Sequence, residues 1–107
     1  MINEAKLDRT MMDLGFGHFS QGGALLRDAV MVYRPGDRLA TIYAAVAAHR
    51  QTTPARVERN IRHATDAAME KGGYQVWTRT FGNVANPSSG RVTNGDLIAG
   101  LHHICKG

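Results

Sequence analysis

Basic side chains that could bind a polyanion are concentrated in the middle of this 107-residue chain. Residues 49–80 hold six lysines and arginines against three acidic residues, whereas residues 1–48 hold five of each sign. Four of the six cations are arginines that lie between positions 50 and 62. This clustering favours a polyanionic partner such as nucleic acid, although a solvated helix face would carry the same charges.

Residues 54–71 have the pattern of a helix with one apolar and one charged face. When these residues are placed on a helical wheel at about 100° per residue, the side chains that should face a core lie within a narrow arc. These are Val57, Ile61, Ala64 and Ala68. The opposite side and its margins collect Arg56, Glu58, Arg59, Arg62, His63 and Asp66.

The charged face has side chains suited to reading the major groove of DNA. Arginine can bind O6 and N7 of guanine through two hydrogen bonds, and glutamate can accept one from N4 of cytosine. Glu58 and Arg62 are also four residues apart on the helix, so they could simply form a surface ion pair. The residue types alone leave both interpretations open.

Apolar residues recur at helical spacing along the first half of the chain. The stripes predict a helix through residues 7–14, a second around 26–33 and a third over 38–49, for which Asp37 is the expected N-cap. The expected core residues of these stripes are Leu7, Met11, Leu14, Leu26, Ala29, Val30, Tyr33, Leu39, Ile42, Tyr43 and Val46.

Three more helices are predicted in the second half. Thr53 should cap the helix 54–71, and Pro54 suits its first turn. Gly72-Gly73 is expected to end it, and a short helix is predicted over 74–81, although that segment also has good strand composition.

A loop over 82–92 should lead to the last helix. Thr93, followed three residues later by Asp96, resembles a capping box and predicts its start. The apolar residues of that helix are Leu97, Ile98, Leu101 and Ile104. The predicted fold is therefore an all-α domain of six helices that spans residues 1–107.

The third and fourth predicted helices are joined by about four residues, which is the sequence form of a helix-turn-helix over about 38–71. In that motif the N-terminal residues of the second helix lie nearest the bases. The helix 54–71 is therefore predicted to read DNA.

Neither an enzyme nor a metal site is expected. His102 and His103 are adjacent, so on a helix their side chains point about 100° apart and do not converge on one ion. No serine, histidine and acid arrangement is recognisable, and no cofactor is expected. The single cysteine excludes an internal disulfide, and no apolar run approaches the ~20 residues of a membrane span. A cytoplasmic setting is therefore expected.

The stretch IYAAVAAHRQTTPARVERNIRHA, residues 42–64, resembles the helix-turn-helix of the stage-zero sporulation protein A effector family. Its core is TT-x-x-RVER-x-IRHA, at 52–64. LLRDAVMVY (25–33) and VTNGDLIAG (92–100), together with Phe81-Gly82, resemble other parts of the same effector domain. The resemblance implies a six-helix transcription regulator that binds short TGTCGAA-like sites, commonly in tandem.

Carried over residue by residue, the resemblance implies DNA contacts from Arg56, Glu58, Arg59, Arg62 and His63. Asn60 departs from the small residue usual at its position. Family proteins carry a phosphorylatable receiver domain ahead of this one, for which 107 residues leave no room. The expectation is an excised effector domain or a free-standing effector that is not gated by phosphorylation.

The partners implied are double-stranded DNA at the nucleoid and RNA polymerase. A monomer or weak dimer is expected in free solution, with copies that meet on DNA through residues 77–92. The alternative is a protein-interaction module that keeps the fold but pairs with a full-length relative.

Overall fold

A computed structural model describes residues 1–17, 20–82 and 92–107. The described residues form five α-helices, α1 (Glu4–Asp13), α2 (Gln21–Val32), α3 (Leu39–Arg50), α4 (Pro54–Phe81) and α5 (Asn94–Cys105). Within the same residues, the one β-type pairing is an isolated bridge between Ile2 and Lys106. The predicted all-α class is confirmed. Positions 83–91 of the predicted loop lie outside the described residues.

Threonine N-caps begin α4 and α5 as predicted. The Oγ1 of Thr53 accepts a hydrogen bond from the backbone N–H of Arg56 at 3.2 Å, and Pro54 is the first helical residue. The Oγ1 of Thr93 likewise accepts from the N–H of Asp96 at 3.2 Å. Each cap satisfies one of the backbone donors that a helix start leaves unpaired.

The predicted N-cap of α3 is wrong. Arg38 occupies that position without a side-chain hydrogen bond. The carboxylate of Asp37 instead accepts from the N–H of Arg34 at 3.0 Å and closes the turn before the helix. A short acidic side chain can accept from the backbone of a turn as well as from the start of a helix, and Asp37 accepts within the turn.

The predicted end of α4 is also wrong, because the helix continues through Gly72 and Gly73 to Phe81. The segment 74–81 is helical, as predicted, but it is the second part of α4. Gly82 follows as the C-cap, with a positive φ of 64°.

Close packing against the turn that follows α1 explains a glycine in the middle of α4. A Cβ on Gly72 would lie 2.3 Å from the carbonyl oxygen of Leu14, so any larger residue would force the two backbones apart. The indole Nε1 of Trp77 donates to the same carbonyl at 3.0 Å, and Trp77 is fully buried. Gly72 therefore allows a close approach within the helix and does not stop it.

The core lies between α2 and the helices around it, since α2 packs against α3, α4 and α5. The predicted core residues are buried or partly buried, with one exception. Leu39, in the first turn of α3, keeps 37% of its surface exposed. None of the helices in the described ranges is long and apolar enough to cross a membrane.

Candidate nucleic-acid interface

A tight turn of three residues, 51–53, joins α3 to α4. Gln51 adopts the left-handed conformation (φ 56°, ψ 48°), and the N–H of Thr52 donates to the carbonyl of Ala47 at 3.0 Å. Thr53 then caps α4. The two helices pack against each other, so the turn and the packing together fix the start of α4 beside α3.

The predicted division of α4 into two faces is confirmed by burial. Val57 and Ile61 are fully buried, Ala68 is 1% exposed, and Ala64 packs partly buried against them. The residues predicted to project outward lie on the surface. Arg56, Arg59, Arg62 and His63 are exposed, and Glu58 and Asp66 are half-buried.

Glu58 and Arg62 form the ion pair that their spacing allows. The Nη1 of Arg62 lies 2.8 Å from the Oε1 of Glu58, and both side chains are partly exposed to solvent. A pair of this kind on a helix contributes only ~0.3–0.5 kcal/mol. It therefore holds the guanidinium along α4 but can open at little cost when a stronger partner approaches.

A second arginine of the basic cluster is held by a carboxylate of another helix. Arg50, the last residue of α3, donates from Nη2 to Asp28 of α2 at 3.0 Å. This hydrogen bond is the main reason that the pKa of Arg50 is raised. Arg56 and Arg59 make no salt bridge within the described part of the chain. Of the four arginines between positions 50 and 62, Arg56 and Arg59 are therefore the two whose charge is not already paired with a described carboxylate.

The first half of α4 is also fixed against the start of α2. A Cβ on Gly22 would lie 2.3 Å from the carbonyl oxygen of Asn60 and 2.4 Å from the Cβ of Ala64. Asn60 is half-buried, on the side of α4 that meets α2. It is thus less accessible than Arg59 to a ligand approaching the exposed face.

One polar residue beside this face escaped the sequence analysis. The side-chain amide of Asn94, at the start of α5, donates to the hydroxyl of Tyr43 at 3.2 Å and to the backbone carbonyl of Glu58 at 3.0 Å. An open cavity of about 430 Å³ lies next to these residues and is also lined by Leu39. Because Asn94 is 36 residues away from Glu58, no local pattern predicts the contact.

The two adjacent histidines of α5 differ in their surroundings. The ring of His102 packs edge-on against Tyr33, with centroids 5.0 Å apart, while His103 is exposed. Cys105 is buried, and burial raises the pKa of its thiol. Among the residues that the structure describes, no group of three histidine, cysteine or acidic side chains could hold a metal ion.

Helical DNA-binding domains contain two helices joined by a tight turn, with arginines exposed at the start of the second, and this chain has the same features. Residues 7–104 match the family described as sporulation initiation factor Spo0A C terminal. The match covers nearly the whole chain, which therefore belongs to this family of DNA-binding transcription regulator domains. The family resemblance noted in the sequence is confirmed.

Proposed function

We propose that this protein is a sequence-specific regulator, acting as one helical effector domain, that reads double-stranded DNA with the first half of α4. The observation that carries the proposal is the exposure of Arg56 and Arg59, without carboxylate partners in the described residues, directly after the turn that fixes α4 against α3. Membership of a DNA-binding family supports it.

The proposed target is a short site of the TGTCGAA type, which presents guanine and cytosine edges on both strands. Arg56 and Arg59 would bind guanine O6 and N7, and Glu58 would accept from cytosine N4 once its pair with Arg62 opens. Arg62 and the exposed His63 would contact the backbone phosphates.

A binding titration with a single-site TGTCGAA duplex and a scrambled duplex of equal composition tests the proposal. Arg56→Ala and Arg59→Ala should each reduce the ratio of the two affinities by about 5-fold to 150-fold, because a bidentate base contact discriminates by ~1–3 kcal/mol. His63→Ala should weaken both duplexes about equally, as a phosphate contact would.

Arg79→Ala is the matched control, since it removes the same charge from an exposed position on the same helix. Arg79 lies about 30 Å farther along the helix axis than Arg59, at 1.5 Å per residue. It should leave the affinity ratio unchanged. Parent-like discrimination by both the Arg56 and Arg59 variants would show that the reading helix is misassigned.

The alternative, a protein-interaction module that pairs with a full-length relative, is favoured by one observation. Glu58 and Arg62 form an ion pair with each other, as such residues do on an ordinary solvent-exposed helix face. A salt titration separates the two functions. Phosphate contacts make log K for DNA fall steeply between about 50 and 200 mM salt, and a flat response would favour the alternative.

A further inference from the structure

The first residue of α5 joins three helices through one side chain. The Nδ2 of Asn94 lies 3.2 Å from the hydroxyl oxygen of Tyr43 in α3 and 3.0 Å from the carbonyl oxygen of Glu58 in α4. An amide nitrogen carries two hydrogens, so it can serve both acceptors at once. Both contacts are partly buried, which limits competition from water.

The bond to Glu58 acts on the backbone of α4 and not on a side chain. In an α-helix, the carbonyl of residue 58 already accepts from the N–H of residue 62, and Asn94 supplies a donor to its second lone pair. The contact therefore fixes the helix itself, at the position between the buried Val57 and the exposed Arg59.

Few directional contacts hold this part of α4. For residues 54–65, within the described part of the chain, Asn94 makes the only hydrogen bond from a side chain of another helix. Among the described residues, apolar packing by Val57 and Ile61 and the close approach of Gly22 also support this part of the helix. The burial of apolar surface is by itself non-directional, whereas a hydrogen bond specifies both a distance and an angle.

We infer that Asn94 is a positioning residue for DNA reading, which sets the orientation of the first turns of α4 through its bonds to Glu58 and Tyr43. The inference rests on the proposed function of that helix. Base contacts need donors and acceptors placed to within about half an ångström, so a small rotation of α4 weakens base discrimination. Attraction to phosphates depends less on such placement.

The test compares two variants of Asn94 with a matched variant of its neighbour. Asn94→Ala removes both bonds. Asn94→Asp keeps the size but cannot donate, and a carboxylate in the first turn of α5 favours the helix, so this variant should fold. Thr93→Ala removes the N-cap of the same helix without touching a hydrogen bond to α4.

Three quantities are measured for each variant: the affinity ratio for TGTCGAA and scrambled duplexes, the melting temperature, and hydrogen exchange of the amides of residues 57–62 in the free protein. Both Asn94 variants should reduce the ratio by about twofold to tenfold, and Asn94→Ala, which adds no charge, should leave the salt dependence of the affinities unchanged. Exchange of those amides should be faster. Thr93→Ala should lower the melting temperature and leave the ratio and that exchange unchanged.

A parent-like ratio in folded Asn94→Asp would overturn the inference. So would an equal loss of ratio in Thr93→Ala, because a destabilised α5 would then account for the effect. If the parent itself does not discriminate between the duplexes, the proposed function fails. Hydrogen exchange then still tests whether Asn94 orders the start of α4. Unchanged exchange in both Asn94 variants would show that it does not.

Discussion

Glu58 takes part in two different interactions at the start of α4. Its carboxylate pairs with Arg62 at 2.8 Å, and its backbone carbonyl accepts from Asn94. The first interaction is local and partly exposed, so it contributes little to stability. The second orders the helix and is independent of the side chain of Glu58. A substitution of the Glu58 side chain should therefore change DNA discrimination while leaving the stability of the fold nearly unchanged.

Glu58→Ala should reduce the affinity ratio for matched and scrambled duplexes by about fivefold or more, because the acceptor for cytosine N4 is lost. Its affinity for the scrambled duplex should rise, since one negative charge near the phosphates is removed. The free energy of unfolding should change by less than ~0.5 kcal/mol.

Glu70→Ala is the control for this substitution. It removes an exposed acidic side chain from the same helix beyond the reading part, so it should strengthen binding to both duplexes without changing their ratio. An unchanged ratio in Glu58→Ala would remove Glu58 from the reading residues.

Burial of Cys105 makes the free energy of unfolding depend on pH in the alkaline range. The pKa of the thiol is raised in the folded protein, chiefly by desolvation. The folded state therefore holds the proton over a range in which the unfolded thiol, with a pKa of about 8.5, has lost it. This contribution to stability is fully present below that unfolded pKa and is lost as pH rises through the folded pKa.

Urea denaturation at about pH 7 and about pH 9.5 should show a lower free energy of unfolding at the higher pH. Cys105→Ala should be less stable at both values, because it leaves a small cavity, but the difference between them should shrink. Tyr43, whose pKa is also raised by burial, adds to the loss only at still higher pH. An equal pH difference in the parent and Cys105→Ala would contradict this account.

At the scale of elements, local chemistry predicted where helices begin better than where they end. Thr53, Pro54 and Thr93 act on their own neighbours, so the sequence revealed the starts of α4 and α5. The role of Gly72 depends on Leu14, whose carbonyl lies against it in the fold. No local pattern contains that contact, so the prediction of a helix end at this glycine is wrong.

In the candidate site too, the sequence predicted local features but not contacts between residues far apart in the chain. Helical periodicity correctly separated the buried Val57 and Ile61 from the exposed Arg56 and Arg59, because both faces belong to one helix. The link from Asn94 to α4 joins residues 36 positions apart, and only the packed structure brings them together. DNA contacts by the predicted residues stay a prediction.

The close approach of α2 to α4 can be tested with two adjacent glycines. Gly22→Ala would place a Cβ 2.3 Å from the backbone oxygen of Asn60, so one helix must move. We expect a loss of ~1–3 kcal/mol, as for other overpacked sites. Gly23 is the control, because a Cβ there meets its nearest neighbour at an ordinary 3.5 Å.

Gly23→Ala should leave stability unchanged or raise it by up to about 1 kcal/mol, since alanine favours helix more than glycine does. Thermal denaturation followed by circular dichroism compares the two variants. Equal melting temperatures would show that α2 and α4 are not in tight contact at Gly22.

At the scale of the whole molecule, the large hydrophobic residues exposed within the described ranges offer little for self-association. Five large hydrophobic residues are exposed in the described ranges, and they are distributed over the N-terminus, α1, α2 and α3. They are Met1, Met12, Met31, Val32 and Leu39. Stable dimers normally bury at least about 1,000 Å² with good complementarity, and five residues distributed over four segments are few for such a patch.

We expect the segment 77–92 to join neighbouring copies on DNA, and the structure limits which of its side chains can do so. Trp77 is fully buried and Phe81 is 9% exposed, so both serve the core and cannot supply the contact. Arg79 is exposed, and positions 83–91 lie outside the described residues. Within the described residues 77–82, a contact between copies would therefore use polar side chains such as that of Arg79.

The protein should accordingly be a monomer or a weak dimer in free solution and should form pairs only on adjacent DNA sites. Two copies held on one duplex experience a high effective concentration, which makes a weak contact productive. Sedimentation of the free protein, of a one-site complex and of a two-site complex measures this directly.

Binding to two sites should be tighter than two independent events, and cooperativity should disappear when the sites are moved apart by half a helical turn. A tight dimer without DNA, or two-site binding that equals two independent events, would contradict the prediction.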